Sequence, residues 1–272
     1  MYNLSVVSII QNNEPVLKEW IEHYLAEGVN HIYLVDDNTP DNTYDLASNY
    51  KEYVTIIKKE HSKKPNTEGH LINNIYLNVL KAESKWVIFA GINEYMFSRN
   101  RRYWQLYDIL KHLDDNVEKI WIPCVHFGSN NYLAQPSEIT KSFTMREQLG
   151  GFMLNIGENG RVVCRTEHLV KIMREGADVD LSKNNIYYLC NGQQAGRFQF
   201  TEKAFSRLEI HMNCYLMSKE YYEKHAADKH GVGTPMYIDA IDAFPLLDDE
   251  YNKVEDKELG SKLYTYNPER YT

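Results

Sequence analysis

Short apolar runs and amphipathic segments alternate along the first 90 residues of the chain. The apolar runs have the length and continuity of strands that are buried on both faces of a sheet. Between the first two runs, apolar residues at positions 17, 20, 21, 24 and 25 recur at helical spacing, with Pro15 near one end and Gly28 at the other. This alternation predicts an α/β fold with a mainly parallel central sheet and helices on both faces. The predicted strands are Leu4–Ile10, His31–Val35, Val54–Lys58 and Trp86–Ala90.

The rest of the chain has a less regular pattern. Lys119–Phe127 and Arg161–Arg165 are predicted strands, the spacing of apolar residues from 103 to 113 predicts a helix, and 218–230 predicts a polar helix. Residues 128–160 are rich in Gly, Asn and Pro; a loop of that length is typical of a functional segment, so we expect it to shape a binding pocket. We predict one domain over residues 1–245, divided near residue 97, and an acidic, Tyr-rich C-terminal tail over 246–272.

Composition excludes several classes of protein. The chain has 272 residues, 43% of them hydrophobic, and a formal net charge of -8, which does not favour a nucleic-acid partner. Its four cysteines are scattered and form no C-x-x-C pair, so we expect reduced thiols and a cytoplasmic location. No apolar run approaches the about 20 residues of a membrane span, and no signal peptide or transmembrane segment is expected. Dinucleotide-binding, P-loop, zinc-protease and hydrolase motifs are absent from the sequence.

Polar residues follow three of the predicted strands directly. They are Gln11–Glu14 after the first strand, Asp36–Asn38 after the second, and Gly91–Glu94 after Trp86–Ala90. The carboxyl ends of parallel strands meet at one edge of a sheet, where open α/β sheets bind ligands. A turn that only caps the chain is the alternative for each segment taken singly. Three such segments at one edge favour a binding site.

The sequence around these strand ends resembles a known family. K-W-V-I-F-A-G-I-N-E-Y-M-F at Lys85–Phe97 is similar to the W-x-x-F-x-D-x-D-E-F segment of GT-A-fold glycosyltransferases, above all glycosyltransferase family 92 and its bacterial and viral family 2-like relatives. Ile9–Glu14, Tyr33–Asn38 and Ile210–Tyr215 resemble three further segments of that family. The resemblance runs from about residue 4 to residue 231 and implies a GT-A, Rossmann-like fold, with residues 1–97 as the nucleotide-binding half and 98–245 as the acceptor half.

The resemblance also implies roles for individual residues. Glu94 orients the site or binds the acceptor, and the catalytic base is one of the later carboxylates, for which Glu158, Glu175, Asp178 and Asp180 remain alternatives. Carboxylates and amides of the first two loops would bind the base and ribose of the nucleotide. The residues expected to contact the donor are Gln11, Asn12, Glu14, Asp36, Asp37, Asn38, His70, Gly91, Asn93, Arg207, His211, Asn213 and Lys219.

The metal-binding part of the family pattern is changed in this chain. In the family, the two aspartates of D-x-D hold a divalent ion, so Mn2+ or Mg2+ is the cofactor that the resemblance implies. Here Gly91 and Asn93 replace them, and Cys214 replaces a later histidine. Gly91 offers no side chain, Asn93 offers a neutral carbonyl, and Cys214 is a poor partner for a hard cation. No protein ligand for a metal is therefore predicted. Arginine or lysine can stabilise the leaving diphosphate instead, and the candidates are Arg161, Arg165, Arg207 and Lys219.

Together these patterns predict a glycosyltransferase. It would move a sugar from a nucleotide-linked donor, with UDP as the expected nucleotide, to a hydroxyl of a glycan, glycolipid or glycoprotein. The resemblance implies inversion of the anomeric centre, and the missing aspartates favour transfer without a metal. A catalytically silent module that binds a sugar nucleotide or a glycan is the alternative hypothesis.

Overall fold

The computed structural model describes residues 1–37, 39–58, 68–154, 159–173, 178–183, 186–189, 194, 198–227 and 240–264. The chain forms two compact units. Unit 1 comprises Met1–Cys124 and Gly150–Met212, and unit 2 comprises Val125–Leu149 and Asn213–Thr272. The predicted boundary between a domain at 1–245 and a tail at 246–272 stays a prediction.

The strands fall where the apolar runs predict them in the first 90 residues, and further short strands follow. They are β1 (Tyr2–Ile10), β2 (His31–Asp36), β3 (Val54–Lys58), β4 (Ser84–Phe89), β5 (Glu94–Ser98), β6 (Lys119–Phe127), β7 (Met145–Arg146), β8 (Gly150–Leu154), β9 (Gly160–Arg165), β10 (Leu169–Met173), β11 (Asp178–Leu181), β12 (Tyr187–Tyr188), β13 (Phe198–Thr201), β14 (Ile210–Tyr215) and β15 (Val254–Glu255).

The helices are mostly short. They are α1 (Glu14–Ala26), α2 (Thr43–Ser48), α3 (Glu68–Ile75), α4 (Leu77–Glu83), α5 (Leu106–Leu110), α6 (Ile139–Ser142), α7 (Glu202–Phe205), α8 (Lys219–Ala227), α9 (Ala240–Tyr251) and α10 (Glu258–Tyr264). None of the described helices combines the length and apolar character needed to cross a bilayer.

Unit 1 is built on a sheet with the strand order β3–β2–β1–β4–β9–β6. β1 runs parallel to both of its neighbours, with Val6 opposite Ile32 of β2 and Ile88 of β4. β2 is also parallel to β3, whereas β9 runs antiparallel between β4 and β6. The first, second and fourth strands are internal, which confirms the predicted α/β fold with a mainly parallel sheet.

Both faces of this sheet are covered. Val7 of β1 and Val35 of β2 belong to a core that also includes Tyr76 before α4, Leu80 of α4 and Ile172 of the β10–β11 hairpin. Alternation along β1 points Leu4, Val6 and Ile10 to the opposite face, where they are equally buried. α1 contributes Leu17, Trp20 and Ile21, each fully buried.

Some predicted elements differ from the structure. The helix predicted over residues 103–113 is reduced to α5, and the segment 128–160, predicted to be irregular, contains α6, β7 and β8. β5 was predicted only as part of a motif, and the β10–β11 hairpin was not predicted. Elements of two to five residues are too short to establish a hydrophobic period.

Unit 2 has a small core of its own. Leu216, Tyr222 of α8 and Phe244 of α9 form its buried centre. β15 pairs antiparallel with β7, where the Arg146 Nε atom lies 3.0 Å from Asp256 Oδ2. Residues 246–264, predicted as part of an acidic tail, form the second half of α9, β15 and α10.

Candidate functional site

The loops that follow β1 and β2 interlock at the carboxyl edge of the parallel strands. The backbone N–H of Asn12 donates to Thr39 Oγ1 (2.8 Å), and that of Asn13 donates to Thr43 Oγ1 (2.9 Å). Asp41 holds the second loop, because its carboxylate accepts from the Thr39 hydroxyl (2.6 Å), the Thr43 N–H (3.0 Å) and the Thr43 hydroxyl. Burial alone would raise the pKa of Asp41, but these hydrogen bonds outweigh it and lower the pKa.

Asp36 is the last residue of β2 and Asp37 follows it, and both are buried. Asp36 Oδ1 accepts from the Thr39 N–H (2.9 Å), and the Asp37 N–H donates to the Ile10 carbonyl (2.9 Å). Burial raises the pKa of Asp36, although the Thr39 hydrogen bond and the charge of Lys58 oppose the rise. A buried carboxylate gains from a further hydrogen-bond donor, such as a ligand would supply.

Of the other predicted residues of these loops, Asn12 is buried, whereas Gln11 and Glu14 have intermediate exposure. The Gln11 N–H donates to Asn13 Oδ1 (2.5 Å), and Glu14 Oε1 accepts from Asn42 Nδ2 (3.2 Å). Asn38 lies outside the described residues.

The turn between β4 and β5 is held by α1. Trp20 Nε1 donates to the carbonyl oxygens of Gly91 (2.9 Å) and Glu94 (3.2 Å), and the Tyr24 hydroxyl donates to the Glu94 carbonyl (3.0 Å). The helical spacing of the sequence assigned Trp20 and Tyr24 to the core only. The indole N–H of Trp20 and the hydroxyl of Tyr24 indicate hydrogen bonding as well as packing, because a buried Trp or Tyr normally has a hydrogen-bond partner.

The Glu94 side chain forms a bidentate ion pair with Arg161 of β9. Glu94 Oε2 accepts from Arg161 Nε (2.8 Å), and Oε1 lies 2.6 Å from the second guanidinium nitrogen, Nη2. The Gly91 N–H also donates to Glu94 Oε2 (2.7 Å). The Glu94 side chain is 7% exposed and that of Arg161 22%. A fixed positive charge is thus placed at the end of β4.

The residues of this turn do not fit a divalent metal held as in the D-x-D pattern. Gly91 offers no side chain, and Asn93 offers only a neutral amide. Glu94 is the remaining acidic side chain of the turn, and both of its oxygens already bond Arg161. A cation of this kind prefers several carboxylate oxygens, and an arginine on the one carboxylate present opposes it electrostatically.

The other candidate cations lie elsewhere. Arg165 is opposite Trp86 in the β4–β9 pairing, near the amino end of β4, and its guanidinium stacks over the Trp86 ring at 4.5 Å. The Arg207 side chain is exposed. His211 is buried, and its Nε2 atom is 3.0 Å from both Arg99 Nη1 and the Phe205 carbonyl oxygen.

Of the candidate catalytic bases, two lie on the β10–β11 hairpin, and Glu158 lies outside the described residues. Asp178 and Asp180 belong to β11, which pairs with β10 and packs on the face of the sheet covered by α3 and α4. Glu175 lies outside the described residues, as do the side chains of Asp178 and of His70, which is part of α3. The choice of base stays a prediction.

Two predicted donor contacts, Asn213 and Lys219, belong to unit 2. Asn213 is buried, and its Nδ2 donates to the Tyr215 hydroxyl (3.1 Å). Lys219 begins α8 and lines a cavity of about 460 Å³. Tyr132, Leu133, Phe244, Asp248 and Asn252 also line it.

The cavity is shaped by hydrogen bonds between its walls. The Ser129 N–H donates to Asp248 Oδ1 (2.6 Å), and the Asn130 N–H donates to Asn252 Oδ1 (3.2 Å). Gly128 allows this close approach, because a Cβ atom there would overlap the Asn252 side chain. The segment 128–160, predicted to shape a pocket, supplies one wall of this cavity.

A mainly parallel α/β sheet with interlocked polar loops at its carboxyl edge is typical of nucleotide-binding enzymes, and the fold is of the GT-A, Rossmann-like type. Residues 6–174 match the sequence profile of glycosyltransferase family 92. This span is more than half of the chain, which therefore belongs to glycosyltransferase family 92. The predicted family and enzyme class are confirmed. No curated protein sequence matches the chain.

Comparison with solved structures finds, among others, two bacterial proteins. TarS 1-349 of S. aureus, in complex with UDP, is 18% identical, with a TM-score of 0.37 over 60% of this chain and 47% of that one. Glucosyl-3-phosphoglycerate synthase of Mycobacterium tuberculosis, in complex with Mn2+, UDP and glucosyl-3-phosphoglycerate, is 13% identical, with a TM-score of 0.34 over 62% of this chain and 58% of that one. The matched region thus spans about half the length of the TarS structure.

Proposed function

We propose that this protein transfers a sugar from a UDP-linked donor to a hydroxyl of a glycan, glycolipid or glycoprotein, and that it does so without a metal. The observation that carries the proposal is the ion pair between Glu94 and Arg161 at the end of β4, on the same sheet edge as the interlocked loops. Inversion of the anomeric centre is part of the proposal, with one of the later carboxylates as base.

Asp36 and Asp37 would bind the nucleoside. Uracil N3–H and the ribose hydroxyls are donors, and a buried carboxylate is the acceptor that gains most from them. The interlocked loops fix the Asp36 carboxylate before the donor arrives, because Thr39 donates to it and is itself bonded to Asp41 and to the first loop. Binding therefore orders little additional chain, which favours affinity.

Arg161 would stabilise the leaving diphosphate. Negative charge grows on the diphosphate as the glycosidic bond breaks, and a guanidinium matches phosphate oxygens with paired N–H donors. Glu94 holds the guanidinium plane through two contacts, at 2.8 and 2.6 Å, so the charge is positioned before the reaction begins. Preorganised charge of this kind lowers the barrier without reorganisation at the moment of reaction.

The cavity of unit 2 would bind the acceptor sugar. Its volume of about 460 Å³ lies within the roughly 300–1,000 Å³ of small-molecule sites. Tyr132 and Phe244 offer apolar faces, and Asp248 and Asn252 offer hydrogen-bonding groups for hydroxyls.

UDP binding measured by calorimetry tests the nucleoside assignment. Asp36→Asn and Asp37→Asn keep the side-chain volume, and each should weaken binding roughly tenfold or more, the equivalent of a lost charge-assisted hydrogen bond of about 1.5–3 kcal/mol. Asp108→Asn is the matched control, since Asp108 pairs with Lys111 (2.6 Å) in α5, away from these loops. UDP affinity equal to the parent's in both test variants would refute the assignment.

UDP release from a panel of UDP-sugars and glycan acceptors tests the reaction. Turnover should persist in EDTA, and Arg161→Lys should lower kcat more than donor affinity, because the charge it meets is largest in the transition state. Activity that EDTA abolishes and Mn2+ restores would refute metal independence. Tight UDP binding without transfer or hydrolysis for any donor would favour the catalytically silent binding module.

A further inference from the structure

Three side chains of types that can bind a metal ion lie close together, away from the interlocked loops. Glu118 precedes β6, and Glu167 and His168 form the turn between β9 and β10. One ligand atom from each side chain lies within 4.8 Å of the other two. β9 is antiparallel to β4, so this turn is at the opposite edge of the sheet from the Glu94–Arg161 pair.

The backbone holds the three residues together. The Arg165 N–H donates to the Glu118 carbonyl (2.8 Å), which fixes the end of β9 beside the start of β6. The Ser182 N–H donates to the His168 carbonyl (2.8 Å), which ties the turn to the end of β11. The cluster therefore rests on paired strands rather than on chance proximity of mobile side chains.

Glu118 is the residue that points to a ligand. Its side chain is 1% exposed, and Oε2 has no hydrogen-bond partner among the residues that the structure describes. Its other oxygen, Oε1, forms a long ion pair with Lys183 Nζ (3.7 Å), beyond hydrogen-bonding distance. Buried carboxylate oxygens are almost always satisfied, so Oε2 has room for a donor or a cation from outside the chain.

We propose that Glu118, Glu167 and His168 bind one divalent transition-metal ion, of which Zn2+ is the representative. Two carboxylate oxygens and an imidazole nitrogen suit ions of this class, whereas Ca2+ and Mg2+ prefer all-oxygen sites. Ligands bound at about 2.1 Å in tetrahedral geometry lie about 3.4 Å apart. His168 Nε2 and Glu167 Oε1 are already 3.4 Å apart, and the exposed Glu167 side chain can move towards Glu118.

The ion would join the β9–β10 turn to the start of β6. It would neutralise the buried Glu118 carboxylate and so stabilise unit 1. This proposal is independent of the proposed transfer reaction, because none of the three side chains belongs to the donor or acceptor sites.

Equilibrium dialysis of the full chain against Zn2+, with the bound metal counted by mass spectrometry, tests the proposal. The parent should bind one Zn2+ per chain, and His168→Ala and Glu118→Gln should each weaken that binding at least tenfold. His112→Ala is the matched control, since His112 bonds the Asp108 carbonyl (2.7 Å) and lies outside the cluster. If Glu118→Gln does not fold, His168→Ala alone decides the outcome.

Two further readouts complete the experiment. Saturating Zn2+ should raise the unfolding temperature of the parent and of His112→Ala, but not that of His168→Ala. UDP affinity should be the same in Glu118→Gln and in the parent, which separates this site from the donor site. No Zn2+ binding by the parent, or equal binding by the parent and His168→Ala, would overturn the proposal.

Discussion

Replacing Arg161 by Met should destabilise unit 1 strongly. The change removes the guanidinium but keeps an apolar stem, and it leaves the Glu94 carboxylate with the Gly91 N–H (2.7 Å) in place of the ion pair. Glu94 is buried, so water cannot freely replace the lost partner. The free energy of unfolding should therefore fall because a charge is left uncompensated.

The magnitude follows from the burial of the pair. Removing one partner of a buried ion pair typically costs about 3–5 kcal/mol, and the retained Gly91 hydrogen bond places this case near the lower end, at about 3 kcal/mol. The double variant Glu94→Gln with Arg161→Met should recover about 1–2 kcal/mol of that loss, because it removes the stranded charge as well.

Urea unfolding followed by tryptophan fluorescence measures this loss. All four tryptophans, at positions 20, 86, 104 and 121, belong to unit 1, so the signal reports on the unit that contains the ion pair. Lys18→Met is the matched control. Lys18 Nζ and Glu22 Oε1 are also 2.6 Å apart, but these side chains are 66% and 50% exposed. The control should lose at most about 0.5–1 kcal/mol.

Equal losses in Arg161→Met and Lys18→Met would refute the reasoning, since the two pairs share their N–O distance and differ in burial. A double variant less stable than Arg161→Met alone would also contradict it, because the stranded carboxylate would then not be the source of the cost.

Three further predictions concern other parts of unit 1. Asp36→Asn should stabilise the fold at pH 7, because burial raises the pKa of Asp36 in the folded state and so makes its ionised form unfavourable there. The gain in free energy of unfolding should disappear as the pH falls below 3.8, the ordinary pKa of an aspartate, and urea titrations at several pH values would show this. Gly160→Ala should lower the free energy of unfolding by about 1–3 kcal/mol in the same measurement, since the new Cβ would lie 2.5 Å from the Ile122 carbonyl oxygen. Gly150→Ala is the control and should lower it little, because a Cβ there would meet open space. Cys164 should resist alkylation in the native protein at pH 8, because burial raises its pKa to about 12; rapid labelling there, located by mass spectrometry, would contradict this.

The sequence predicts the parallel half of the fold well because apolar residues dominate each strand there. β1, β2 and β4 are internal and mostly buried, so most of their residues are apolar. The strand ends were also predictable, since polar residues follow each run at once. The edge strand β3 was predicted as well, although four of its five residues are partly or largely exposed.

The Glu94–Arg161 contact could not be predicted from residue patterns. The two residues are 67 positions apart, and their meeting depends on the antiparallel register of β4 and β9, which pairs Ile88 with Val163. The same register places Arg165 near the opposite end of β4, although both arginines were equal candidates in the sequence. The periodicity of hydrophobic residues predicts whether a segment is a helix or a strand, but not which other strand it pairs with. The cavity of unit 2 has the same origin, because its walls come from three distant segments.

Charge balance gives the proposal of metal-independent transfer a second basis. In the pattern that this sequence resembles, two aspartates supply two negative charges and hold an ion with two positive charges. Gly91 and Asn93 supply no charge, so omitting the ion leaves the net charge of the turn unchanged. Glu94 is retained, and Arg161 neutralises it through two contacts. A divalent ion at this turn would meet no unpaired carboxylate, because both oxygens of Glu94 already bond Arg161, and a hard cation prefers several carboxylate oxygens. The substitutions and the ion pair are therefore consistent with each other: both disfavour a metal at the position where the resemblance alone would place one.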